Sequence, residues 1–148
     1  YQPEDDGITI AYASVYGHLK AAVEELASAL EARGQKVSVF DLARDDMAEA
    51  VEDAFRYDRL VLASITYQGE IFPFMSTFIH TLAEHAYQNR TVALVEAGSW
   101  APAAAKVMTK ELEGMKDITL TQNKVTVLGS LNDASRAQIE ALADELSK

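Results

Sequence analysis

Apolar residues along the chain are grouped into two alternating kinds of segment. One kind is a short, nearly uncharged run of Val, Ile, Leu and Ala, which is typical of strands that are buried on both faces of a sheet. These runs lie at Ile8–Ala13, Val37–Phe40, Leu60–Ala63, Thr91–Val95 and Ile118–Leu128, the last with Gln122–Lys124 as a candidate interruption.

Each run is followed by a segment in which apolar residues recur every three to four positions, the period of an amphipathic helix. Gly34 is expected to stop the first helix, and Asp45-Asp46 and Asn132-Asp133 are expected to cap the second and the last. Pro73 is expected to lie near the start of the third helix, and Pro102 is expected to open the fourth. The side chains predicted to face inward are Leu19, Ala22, Val23, Leu26, Leu30, Met47, Ala50, Val51, Ala54, Phe55, Met75, Phe78, Ile79, Leu82, Ala105, Met108, Leu112, Met115, Ile139, Leu142, Ala143 and Leu146.

Repeated strand–helix units predict an α/β fold with a parallel sheet covered by helices on both sides. The length of 148 residues suits one domain and favours an open sheet over a barrel. The expected architecture is a three-layer α/β/α sandwich whose five strands have the order 2-1-3-4-5. Residues 1–7 are interpreted as a linker-like start and residues 8–148 as the domain.

Charge and composition narrow the functions to be considered. The formal net charge of −10 disfavours nucleic acid and membranes as partners and favours basic proteins. The sequence has no cysteine, which excludes disulfides and thiolate chemistry and fits a cytoplasmic location. His18, His80 and His85 form no HxHxD-type cluster, so no metal site is expected. No apolar run approaches the roughly 20 residues that span a bilayer.

Ligands of open parallel sheets bind beyond the carboxyl ends of the strands, where the strand order reverses. For the predicted order this crevice lies between the first and third strands. The loops expected to converge on it are Ser14–Leu19, Ser64–Phe72 and Ala97–Ala103, and each combines hydroxyl groups, aromatic rings and glycine.

The first of these loops leads directly into a helix, whose first N–H groups have no intrahelical partner and attract anions. The Ser14 hydroxyl can donate to a phosphate oxygen, and Gly17 permits close approach of the backbone. By itself the loop slightly favours an ordinary helix cap. Tyr67 and Trp100 lie in the other two loops, however, and two rings at one crevice predict a planar heterocycle between them.

The three loops resemble those of the flavodoxin superfamily, and most closely the flavodoxin-like domain of flavodiiron proteins (A-type flavoproteins). The family's Thr/Ser-x-Tyr-Gly-Asn-Thr phosphate loop resembles Ser14–Leu19. Its Ser-Pro-Thr-Tyr-Asn-Asn-Gly-x-Phe-Pro loop resembles Ser64–Pro73, and its Gly-Ser-Tyr-Gly-Trp type loop resembles Ala97–Trp100. Three motifs agree, and the similarity in element order and loop spacing covers nearly the whole chain.

The resemblance implies a non-covalently bound FMN that carries out the redox chemistry, without a catalytic acid or base from the protein. The residues implied to hold its phosphate are Ser14, Val15, Tyr16, Gly17, His18 and Leu19. Those implied to line the isoalloxazine are Ser64, Thr66, Tyr67, Gln68 and Gly69 on one side and Gly98, Ser99 and Trp100 on the other. The leading hypothesis is therefore an FMN-binding electron-transfer domain of a flavodiiron-type oxidoreductase, with a redox protein, such as a diiron domain, as its partner.

Two alternative functions are left open. Leu19, Glu70 and Ala101 depart from the family pattern and favour a flavodoxin-like interaction module that binds no flavin. An NAD(P)H-dependent flavin or quinone reductase of related fold is the other, although no residue specific for nicotinamide is identified. A phosphorylated receiver domain is excluded, because its acidic positions are taken here by Ala13-Ser14 and Ser64.

Overall fold

The computed structural model describes residues 2–14, 17–67, 70–98 and 102–148. Its strands are β1 (Asp5–Ala13), β2 (Val37–Asp41), β3 (Tyr57–Tyr67), β4 (Glu70–Ile71), β5 (Arg90–Gly98), β6 (Ile118–Leu120) and β7 (Val125–Leu128). Its helices are α1 (Gly17–Ala32), α2 (Met47–Arg56), α3 (Pro73–Glu84), α4 (Ala104–Leu112) and α5 (Asp133–Leu146). Within these residues, no helix combines the length and the apolar character needed to cross a membrane.

The main sheet is parallel and has the order β2-β1-β3-β5-β6, and β7 also pairs with β5. Since β5 is the fourth strand of the predicted repeat and β6 with β7 forms the fifth, the predicted order 2-1-3-4-5 is confirmed. Side chains alternate along β1 between two buried clusters, one under α1 and α5 and the other under α2, α3 and α4. The sheet is therefore covered on both faces, as expected for the three-layer sandwich.

Helical periodicity predicted the buried faces well. Every inward position predicted for α1, α3 and α5 is buried, whereas Met47, Val51 and Phe55 of α2 are only partly buried against the core. Met115 is also partly buried, but it lies beyond the end of α4. The predicted cap of α2 is confirmed, because Asp46 Oδ1 accepts from Ala48 N at 2.9 Å.

The cap of α5 is reciprocal. Asn132 Oδ1 accepts from Ser135 N at 3.0 Å, and Ser135 Oγ accepts from Asn132 N at 2.9 Å. Gly34 follows the end of α1 with a φ of 82°, a conformation that glycine adopts without strain. Local polar chemistry thus ends and begins these helices where the sequence predicted.

Several elements differ from the prediction. Strands β3 and β5 extend at both ends beyond the predicted Leu60–Ala63 and Thr91–Val95, so β3 includes the first residues of the expected loop Ser64–Phe72. Strand β1 begins at Asp5 rather than Ile8, because Asp5 pairs with Tyr57 and Gly7 N donates to Asp58 Oδ1 at 3.0 Å. Residues 5–7, interpreted as part of a linker-like start, therefore lie within the first strand. Helix α4 begins at Ala104, two positions after Pro102, and the short antiparallel strand β4 was not predicted at all.

The fifth strand of the predicted repeat is divided into β6 and β7 because a side chain of α5 bonds to the polar residues between them. Glu145 of α5 accepts from Gln122 N at 2.9 Å and from Asn123 N at 2.9 Å. These two N–H groups therefore bond to a side chain rather than to β5. The candidate interruption at residues 122–124 is confirmed.

Gly7 gives a test of packing at the edge of the core. A Cβ at this position would lie 2.4 Å from Cδ1 of Tyr57, a residue that is 4% exposed and whose ring centroid lies 5.9 Å from Lys36 Nζ and 5.2 Å from Arg56 Cζ. We expect Gly7→Ala to lower the free energy of unfolding by about 1–3 kcal/mol in urea denaturation. In a Tyr57→Ala background the same substitution should cost much less. An equal loss in both backgrounds would show that the ring is not the cause.

Glu145 gives a test of pH dependence. Burial alone would raise the pKa of its carboxyl, but hydrogen bonds from Gln122 N, Asn123 N and Asn123 Nδ2 outweigh burial and lower that pKa. A carboxylate with a lowered folded-state pKa stabilises the fold above its unfolded pKa of about 4.3, and this contribution is lost as the pH falls through the folded-state pKa. We expect Glu145→Gln to reduce the free energy of unfolding at pH 7 by about 1 kcal/mol. The difference from the unsubstituted protein should shrink below pH 4, and a difference that stays constant down to pH 3 would contradict this account.

Candidate functional site

The carboxyl ends of β1, β3 and β5 lie side by side at one edge of the sheet. The parallel register pairs Ala13 with Ser64 and Ser64 with Glu96, so the carboxyl ends of the three strands lie at the same edge, with β3 and β5 continuing a few residues beyond β1. The loops that the sequence placed at the crevice therefore all leave from adjacent strands. This geometry makes one shared site possible for residues that are far apart in sequence.

Helix α1 begins at Gly17, shortly after the end of β1. A Cβ added to Gly17 would have no heavy atom of the described residues within 4 Å, apart from its chain neighbours and the backbone of α1, so these residues leave open space beside the first turn. The first N–H groups of a helix lack intrahelical partners and carry partial positive charge. This end of α1, with Ser14 half-buried before it and His18 exposed, offers donors and space to an anion.

Leu19 is the exception among the predicted phosphate contacts that the structure describes. Its side chain is 1% exposed and packs in the core cluster under α1 and α5. Only the backbone N–H of Leu19 can therefore face a ligand. The side chain stabilises the fold.

The β3–β4 hairpin lies at the same carboxyl edge, beyond the predicted crevice residue Ser64. It is short and antiparallel, with Thr66 paired to Ile71 and Tyr67 paired to Glu70. The Ser64 hydroxyl is fully buried, donates to Ile65 O at 3.1 Å and accepts from Phe72 N at 3.3 Å. The resemblance implies a cofactor contact for Ser64, but this hydroxyl already closes the base of the hairpin.

One hydrogen bond joins the third loop to the second. Thr66 Oγ1 accepts from Ala103 N at 2.8 Å, which joins the hairpin to the start of α4. A Cβ on Gly98 would lie 3.0 Å from the Cβ of Pro102, so glycine permits the close approach of these two residues. Gly98 O also accepts from Gly129 N at 2.9 Å, just beyond β7. The segment between Gly98 and Pro102 therefore has closely spaced ends.

Glu96 is a residue of this region that the sequence reasoning missed. Its side chain is 5% exposed, and Oε1 accepts from Ala105 N at 2.9 Å. Oε2 accepts from Thr126 Oγ1 at 2.8 Å and lies 3.4 Å from Lys124 Nζ. A charged residue in the strand "RTVALVEAG", which is buried on both faces, was a signal of such a network, because a buried carboxylate needs partners.

Several predicted contacts lie outside the described residues and stay predictions. They are Val15, Tyr16, Gln68, Gly69, Ser99 and Trp100. Ala101, which was noted as a departure from the family pattern, also lies outside them. Of the predicted site residues that are described, Ser14, Gly17, His18, Thr66, Tyr67 and Gly98 lie at the carboxyl edge of the sheet.

The histidines of α3 lie on another part of the surface. His80 is exposed, with Nε2 3.7 Å from Glu111 Oε1, and His85 ends the helix. In the part of the chain that the structure describes, no three residues of His, Asp or Glu are placed together to hold a metal ion.

Solved structures with the same fold include both short and long proteins. Rubredoxin oxygen:oxidoreductase from Desulfovibrio gigas superposes with a TM-score of 0.91 and 17% identity, over 99% of this chain and 36% of that one. A mutant of the flavo di-iron protein from Thermotoga maritima gives a TM-score of 0.83 and 22% identity, over 97% and 36%. Oxidised flavodoxin 1 from Bacillus cereus gives 0.81 and 14%, over 95% and 97%.

These identities show a shared fold, and the chain spans about a third of the length of the two longer proteins. A comparison with curated protein sequences gives no match. The family model described as "Flavodoxin domain" matches residues 9–134, which is most of the chain. The chain therefore belongs to the flavodoxin domain family.

Proposed function

We propose that this chain is an FMN-binding electron-transfer domain. The observation that carries the proposal is the open first turn of α1 at Gly17, which lies at the carboxyl edge of the sheet where β3 and β5 also end. Membership of the flavodoxin family supports a flavin as the ligand, and the loops around the edge carry the motifs that resemble its FMN site.

The described residues fit the chemistry of FMN at its phosphate. A phosphate group requires several donors and space beside the backbone, and the start of α1 offers main-chain N–H groups, the Ser14 hydroxyl and the unfilled volume at Gly17. His18 is exposed on the same turn and adds a donor. A Cβ at Gly17 would occupy volume that an anion needs.

When bound, FMN would supply the electron transfer through its isoalloxazine ring system. The role of this chain is to hold and orient that group. Ser14 and the N–H groups at the start of α1 would hold the phosphate, and the ring contacts that the resemblance implies for Tyr67 and Trp100 stay predictions. The net charge of −10 disfavours added negative charge, and it therefore lowers the reduction potential of a bound flavin.

We further propose a redox protein as the partner of this domain. The two longer structural neighbours, the rubredoxin oxygen:oxidoreductase and the flavo di-iron protein, extend well beyond the segment that matches this chain. This relation favours a diiron domain as the electron acceptor or donor. The acidic surface favours a partner that is basic where the two proteins meet.

A titration of the purified chain with FMN and riboflavin tests the proposed site. We expect a one-to-one yellow complex with FMN, and weaker binding of riboflavin because it lacks the phosphate. Gly17→Asp should weaken FMN binding at least tenfold and remove the preference for FMN, because it places a carboxylate at the start of α1. Isothermal titration and flavin fluorescence measure both dissociation constants.

Ala48→Asp is the matched control, since it adds the same charge at an exposed position in the first turn of another helix, α2. It should leave both dissociation constants unchanged. A folded chain that binds no FMN would overturn the proposed function in favour of the flavin-free interaction module. Equal affinities for FMN and riboflavin would show that α1 does not hold the phosphate.

A further inference from the structure

Helix α4 starts without a capping side chain of its own. Its N-cap is Ala103, which follows Pro102 and precedes further alanines, and it makes no side-chain cap hydrogen bond. Alanine and proline side chains accept no hydrogen bonds, so the first N–H groups of this helix need acceptors from elsewhere.

Two neighbouring strands supply those acceptors. Thr66 of β3 accepts from Ala103 N at 2.8 Å, and Glu96 of β5 accepts from Ala105 N at 2.9 Å. The two bonds attach the first turn of α4 to the sheet at two points. The carboxylate of Glu96 also places negative charge at the positive end of the helix dipole, which is a stabilising arrangement.

The Glu96 carboxylate is itself held firmly in place. Thr126 Oγ1 donates to Oε2 at 2.8 Å, and Lys124 Nζ lies 3.4 Å from the same oxygen. Because its side chain is only 5% exposed, the carboxylate depends on these partners rather than on water. The position of the carboxylate is thus set by Thr126 of β7 and by Lys124 just before it, as well as by β5 itself.

We propose that Glu96 is a positioning residue that holds the start of α4 at the carboxyl edge of the sheet. Its bond partner Ala105 lies in the first turn of α4, and Pro102, just before that helix, packs close to Gly98, two positions after Glu96. Loss of this bond frees the first turn of α4. The effect on a flavin rests on the proposed FMN function, whereas the effect on α4 does not.

The experiment compares substitutions of Glu96 with a control on the same helix. Glu96→Ala removes the acceptor, while Glu96→Gln keeps the size and removes the charge. Glu111→Ala is the control, because Glu111 lies at the other end of α4, is 19% exposed, and accepts from Ser76 Oγ at 2.8 Å on α3. The readouts are amide hydrogen exchange over residues 103–107 without FMN, the FMN dissociation constant, the flavin midpoint potential and the melting temperature.

We expect Glu96→Ala to accelerate exchange at the start of α4 at least tenfold and to raise the FMN dissociation constant at least tenfold. Glu96→Gln should have a smaller effect on both and should shift the midpoint potential to more positive values, because a negative charge is removed. Glu111→Ala should lower the melting temperature while leaving exchange at the start of α4, FMN affinity and potential unchanged.

Unchanged exchange and FMN affinity in folded Glu96→Ala would overturn the proposal. If the unsubstituted chain binds no FMN, the proposed function fails, and hydrogen exchange alone still decides whether Glu96 fixes the start of α4. If Glu96→Ala does not fold, Thr126→Val serves instead, because it removes one donor to the carboxylate. It should accelerate the same exchange by a smaller factor, and no acceleration would contradict the proposal.

Discussion

The parallel register of β1, β3 and β5 is the constraint on which the candidate site depends. It places Ala13, Ser64 and Glu96 in one row across the sheet, so the segments that follow them start at the same edge. Parallel strands require long crossovers, and here those crossovers are helices that begin at the same edge and bring their N–H groups with them. One geometric relation thus collects hydroxyl groups, loop backbone and helix N-termini around a single crevice.

The first N–H groups of α1 and α4 have different surroundings at this edge. The start of α4 is satisfied from within the protein by Thr66 and by the buried carboxylate of Glu96. The start of α1 has open space at Gly17 among the residues that the structure describes. At α4 an anion would therefore compete with a carboxylate that is already bonded to the helix. At α1 it would find unfilled volume beside the first turn. This difference favours α1 as the seat of a phosphate and α4 as part of the scaffold around it.

Periodicity in the sequence predicted which apolar residues are buried in the core. It predicted little of the structure that depends on polar contacts between distant residues. Positions such as Leu26 and Phe78 are buried because burial of apolar area drives folding, and their spacing is visible in the sequence. The β3–β4 hairpin depends on the Ser64 hydroxyl, and the division of the fifth strand depends on Glu145. Those bonds join residues that only the folded chain brings together. The partners of Glu96 were hidden for the same reason, although its charge in an apolar strand was visible.

Leu19 shows how a departure from the family pattern is to be weighed. Its side chain fills the core under α1, so a phosphate at this turn would rely on main-chain N–H groups and on Ser14. Loss of one neutral hydroxyl contact costs about 1 kcal/mol, which is less than tenfold in affinity. The main-chain N–H groups do not depend on the side chain at this position. Leu19 therefore argues for a weaker phosphate contact and not against the site, whereas a group that filled the space at Gly17 would remove it.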